Sequence, residues 1–94
     1  GLSEVLKILK TNGGPLGLPF TPHSPYFGPG FLATLQLAGA VETTRFVEYL
    51  YVHPDRWVYK DMPLPENGMV SIPDGKGLGM DPDPEVLDRY YVNS

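Results

Sequence analysis

The sequence predicts an α/β fold with parallel strands, and three stretches carry that prediction. Residues 31–41 read FLATLQLAGAV, in which only Thr34 and Gln36 are polar, and a helix apolar on nearly every side is buried on several faces. Residues 44–52 are strongly β-prone, with Phe46, Glu48, Leu50 and Val52 on one face and Arg45, Val47, Tyr49 and Tyr51 on the other. Residues 16–22 are short and mostly apolar and suit an earlier strand that opens towards His23. Strand, helix and strand in this order form a βαβ unit, the building block of doubly wound sheets and of β/α barrels. Two parallel strands cannot cover both of their faces, so further strands and helices are expected to complete the sheet.

The remaining elements follow from local chemistry. Leu2, Val5, Leu6, Ile8 and Leu9 fall largely on one helical face, Ser3 can cap the start, and Asn12-Gly13-Gly14 offers a left-handed stop, so residues 3–12 are expected to be a helix. Pro19 and Pro22 weaken the strand at 16–22 because neither has a ladder donor. Gly28-Pro29-Gly30 reads as a loop leading into the second helix. After Val52 the segments His53-Pro54-Asp55-Arg56-Trp57 and Met62-Pro63-Leu64-Pro65-Glu66-Asn67-Gly68 suggest a hairpin-like connector. Residues 72–79 are turn-rich, and Asp83-Pro84-Glu85 can start a last helical turn through Val86, Leu87 and Tyr90. The tail is expected to pack on something outside these residues.

Length and composition bound the function. With 94 residues the chain is one domain or less and would bury only roughly 60 to 70% of its unfolded surface. It begins Gly1-Leu2-Ser3-Glu4 and enters a helical pattern at once, which reads as a piece of a longer chain. The absence of cysteine excludes a disulfide scaffold and thiolate metal sites, and a cytoplasmic setting is the default. A net charge of −4 argues against a nucleic-acid surface, which clusters Lys and Arg. Between Asp61 and Asp88 seven acidic residues face only Lys76, and their spread among prolines and glycines makes a solvated acidic surface. No apolar run approaches the ~20 residues of a membrane span, and no signal-peptide pattern opens the chain.

Few side chains are placed for chemistry. Gly75, Gly77 and Gly79 do not follow a strand and open a helix, and no Gly-Lys-Ser/Thr sequence occurs, so turn geometry explains them better than phosphate binding. His53 precedes a proline in a surface-like loop and reads as structural. Glu48 shares a strand face with Phe46 and Leu50, where an ionised carboxylate is costly unless it is paired or engages a ligand; the alternative is a strand end at which it reaches solvent or pairs with an arginine. His23 follows a strand, where β/α folds place ligand-binding residues, and its position fits a structural hydrogen-bonding residue as well as a catalytic one.

Thr21-Pro22-His23-Ser24, Gly30-Phe31-Leu32-Ala33-Thr34-Leu35-Gln36-Leu37-Ala38, Phe46-Val47-Glu48-Tyr49-Leu50 and Ile72-Pro73-Asp74-Gly75 with Gly77-Leu78-Gly79 together resemble the C-terminal quarter of enolase-superfamily enzymes of the mandelate racemase and muconate-lactonising type. The resemblance runs from residue 3 to 92. It implies the last part of a modified TIM-type (β/α)7β barrel. Helix 6, strand 7, helix 7 and strand 8 would lie in residues 1–52, and residues 53–94 would form a C-terminal segment that returns to a capping domain. It also implies Mg²⁺ bound by three acidic residues on middle strands, which lie outside this chain, and a partner set made of the rest of the barrel, the capping domain and other copies in a homo-oligomer.

In the mandelate racemase-like subgroup the histidine after strand 7 removes the proton α to a carboxylate, and a strand-6 aspartate orients it; His23 matches that histidine by motif and place. Glu48 matches the strand-8 glutamate that donates a hydrogen bond to the substrate carboxylate as it becomes an enediolate, a role that requires it to carry a proton. Other subgroups place different residues there. Tyr26 and Tyr51 are near enough in sequence to line the pocket, although aromatic packing is the simpler account of each. The resemblance thus implies an enzyme acting on a small-molecule carboxylate, a hydroxy acid or acid sugar, of the dehydratase or racemase type. The competing reading is a non-catalytic fragment or binding module without metal-dependent activity.

Overall fold

A computed structural model of the chain describes residues 1–93. The first helix, α1, spans Leu2–Ile8 and runs into a π-helical turn, Leu9–Gly13, and a short helical turn, α2, Gly14–Leu16. The expected cap and stop both differ from what forms. Helix α1 starts one residue early with Gly1 as its cap and no side-chain capping bond. Gly14 is right-handed, with φ of −62°, so the helical path continues until Gly17 turns left-handed at φ 63°. At the join the Thr11 hydroxyl donates back to the carbonyls of Lys7 (2.9 Å) and Ile8 (3.3 Å), the bond to the preceding turn that a helical threonine commonly makes.

The long helix, α3, spans Gly28–Ala40. Gly28-Pro29-Gly30 forms its first turn rather than a preceding loop, because proline lacks only a donor that a first turn does not use. The expected apolar surround is observed. Phe31, Leu32, Leu35, Leu37 and Ala38 are buried, and Phe31, Leu32 and Leu35 form the core with Tyr59 and Met62. The segment after residue 53 therefore packs back onto α3. Gln36 holds it there: its side-chain amide donates to the carbonyls of Pro73 (2.7 Å) and Leu78 (3.3 Å).

The expected strands are the main correction. Among the described residues there is no strand, only a single parallel bridge between Phe20 and Thr44 and a single antiparallel one between Glu66 and Met69. Leu16 belongs to α2. Phe20 donates its N–H to the Thr43 carbonyl at 3.2 Å, but two residues on the next ladder donor would be Pro22, which has none. On the other side Thr44 spends its N–H on Val41, at 2.9 Å. The segments lie side by side in parallel register without a ladder, and their faces are uncovered: Phe46 is 76% exposed and Tyr51 79%. Tyr49 packs edge-on against Phe31 and Tyr51, and burial, with Tyr51 beside it, pushes its phenol above the ordinary tyrosine range.

Later elements follow local signals. Asn67 and Gly68 both have positive φ (51° and 74°) and close a two-residue hairpin turn between Glu66 and Met69, the backbone that Asn-Gly favours. Helix α4 spans Pro84–Arg89, and the Asp83 side chain caps it by accepting from the Glu85 N–H at 2.9 Å. The tail finds part of its packing within the chain, since the Asp83 backbone N–H donates to the Val58 carbonyl at 2.7 Å and the Tyr90 hydroxyl donates to the Asp55 carboxylate. Tyr91 and Val92 stay exposed. No helix among the described residues is long and apolar enough to cross a membrane.

Candidate functional site

The loop after the Phe20 bridge and the segment after the Thr44 bridge carry the two candidate catalytic side chains, and the structure brings them together. His23 Nδ1 lies 2.8 Å from Glu48 Oε2. The same oxygen accepts the Ser24 backbone N–H at 2.7 Å, and the Ser24 hydroxyl donates to the Glu48 backbone carbonyl at 2.6 Å. Ser24 is fully buried, so each of its donors needs a partner, and Glu48 supplies both. His23 and Glu48 themselves are open to solvent, with side chains 79% and 46% exposed.

These exposures decide what the pair can do. A solvent-exposed contact of this kind contributes at most about 0–1 kcal/mol, so its consequence is orientation rather than stability. With Nδ1–H directed at the carboxylate, Nε2 is the ring nitrogen left to take or give a proton. Glu48 Oε2 is occupied as an acceptor twice over, which leaves Oε1 as the oxygen available to a ligand. Burial beside Phe46 and Leu50, expected from the strand pattern, is not found, because without a sheet Phe46 turns to solvent.

The other candidates separate. Tyr26 shares with His23 the wall of an open concavity of about 360 Å³, formed also by Phe20, Pro22, Val5 and Leu37. Tyr26 leans over the start of α3, where a Cβ on Gly30 would stand 3.1 Å from its own Cβ. Glu48 and Tyr51 do not line this concavity. Tyr51 instead packs edge-on between Tyr49 and His53, at centroid distances of 6.2 and 5.3 Å. That accounts for it as aromatic packing. Ser24 is the residue that sequence reasoning missed as part of the constellation; its one signal is a small hydroxyl residue next to His23, enclosed by Pro22 and Pro25. The glycines at 75, 77 and 79 make a turn, with Gly75 donating to the Gly79 carbonyl at 3.1 Å.

The family model described as enolase C-terminal domain-like matches residues 1–86. The chain belongs to the enolase C-terminal domain-like family. No curated protein and no solved structure gives a significant match. Membership implies the enolase fold and places the chain in a superfamily of Mg²⁺-dependent lyases and isomerases. The acidic residues of this enolase-like chain do not themselves fit a Mg²⁺ site: the ion requires oxygens converging in near-octahedral geometry. Among the described residues no group of three or more His, Asp or Glu side chains comes together.

Proposed function

We propose that this enolase-like chain contributes the His23 and Glu48 side chains of an active site that removes the proton α to the carboxylate of a hydroxy acid or acid sugar. The observation that carries this reading is the 2.8 Å contact between His23 Nδ1 and Glu48 Oε2 at the ends of two parallel segments, where β/α folds assemble active sites. His23 Nε2 accepts the α-proton, and Glu48, carrying a proton on Oε1, donates a hydrogen bond to the substrate carboxylate as it becomes an enediolate. Tyr26 lines the approach beside His23; Tyr51, proposed from the sequence as a second lining residue, would reach the pocket only by leaving its packing against His53.

In this reading the chain forms helix 6 to strand 8 of a (β/α)7β barrel and a return towards a capping domain. Its partners are the rest of that barrel and further copies of the enzyme. The superfamily's Mg²⁺ is held by residues other than these, and no step above is routed through it. The exposed Phe46, Tyr51 and Val52 support a second reading, a non-catalytic module that uses this face for binding.

The test is solvent deuterium incorporation. The complete barrel enzyme is incubated with hydroxy acids and acid sugars in heavy water and the α-carbon is followed by NMR. Exchange that disappears in His23→Asn, with substrate binding retained, is the expected result. Equal exchange in the variant would assign the base elsewhere, and no exchange with any acid would favour the binding module.

A further inference from the structure

A glutamate that meets a substrate through one carboxyl oxygen has to hold a long, rotamer-rich side chain in one pose before the ligand arrives. Packing does not set that pose at Glu48, whose side chain is 46% exposed and whose neighbour Phe46 turns to solvent. A backbone ladder does not set it either, because the bridge between Phe20 and Thr44 is isolated. Ser24 does both jobs. Its backbone N–H donates to Glu48 Oε2 at 2.7 Å and its hydroxyl donates to the Glu48 backbone carbonyl at 2.6 Å. One fully buried residue therefore grips Glu48 at the root of the side chain and at its tip. Oε2 is committed, and Oε1 is left for a ligand.

We infer that Ser24 is a positioning residue for the substrate-facing carboxyl: its two bonds present Glu48 Oε1, the oxygen that carries the proton in the proposed reaction, to the substrate carboxylate. This rests on the proposed role of Glu48. Neither bond involves the His23 imidazole, so the grip does not depend on what Nδ1 contacts. Alanine at position 24 keeps the N–H bond to Oε2 and loses the hold on the Glu48 backbone. Cysteine keeps a comparable volume and offers only a weak donor, so it loosens the same hold without opening a cavity.

A double-mutant cycle in the complete barrel enzyme tests this, because a residue that acts through Glu48 has nothing to position once that carboxyl is gone. Ser24→Ala and Ser24→Cys should each lower kcat for α-proton exchange by roughly tenfold to a hundredfold with little change in KM. Adding Ser24→Ala to Glu48→Ala should cause no further loss. Unchanged kcat in both single variants would overturn the inference. So would a Ser24→Ala loss of the same size in the Glu48→Ala background, since Ser24 would then act other than through Glu48; if His23→Asn still abolished exchange, the proposed reaction would stand without it. A native enzyme that exchanges no α-proton with any acid would defeat the reaction itself, and the role of Ser24 with it.

Discussion

His23 Nδ1 and Glu48 Oε2 meet at 2.8 Å although they lie on segments that share one backbone bridge. The contact leaves Nε2 free, and this asymmetry separates the two residues' variants. Glu48→Gln keeps an acceptor for Nδ1 and a donor for substrate, so it should retain measurable turnover with a loss on the order of 3 kcal/mol in kcat/KM. His23→Asn should show no α-proton exchange at all, since asparagine cannot accept a proton near neutral pH. Steady-state kinetics on the two variants of the complete enzyme, with a substrate titration, checks the order.

Leu32 is fully buried between α3 and the returning segment. Truncation to alanine should cost about 2–5 kcal/mol, read as a lowered denaturation midpoint. Leu64, which is 47% exposed, should tolerate the same change with a much smaller loss.

Gln36 is the only side chain of α3 seen to bond the 72–79 turn among the described residues. Gln36→Leu keeps the bulk and removes the donors, leaving two carbonyls short of a partner, and should destabilise by about 1–3 kcal/mol. Amide exchange at Lys76 to Gly79 should speed up in the variant, with α4 unaffected.

Gly79 has φ of 99°, and a Cβ there would come within 2.6 Å of the Pro73 carbonyl oxygen. Gly79→Ala meets both backbone strain and a rigid neighbour, so a loss of roughly 1–3 kcal/mol is expected. At Gly39 the obstacle is the flexible tip of Ile72, at 2.5 Å, which can rotate away. Thermal denaturation should therefore rank Gly79→Ala as the more harmful of the two.

Asp55 is held below its ordinary value by the Tyr90 hydroxyl, against an opposing desolvation that outweighs the help of either Arg56 or Arg89 taken singly. A carboxyl depressed in the folded state stabilises above its unfolded pKa and loses that contribution as pH falls through the folded value. The melting temperature of Tyr90→Phe should lie below that of the native chain at neutral pH, and the gap should close on acidification. A gap that persists at the lowest pH would mean that the hydroxyl acts other than through Asp55.

The amino-acid sequence by itself determined the elements whose cause is local. The apolar run at 31–41 becomes α3 because no orientation in water would hide it; Asp83-Pro84 starts α4 because a carboxylate caps and a proline fits its first turn; Asn67-Gly68 turns the chain because these residues accept positive φ. The quoted motifs also carried the family. Tertiary structure decided what depends on distant partners. A β-prone pattern becomes a strand only when a neighbour supplies donors and acceptors, and with Pro22 opposite and Thr44 turned inward the segment 44–52 has a single bridge. The pairing of His23 with Glu48, and the burial of Ser24 between them, depend on an alignment of two segments 24 residues apart, which no local propensity encodes.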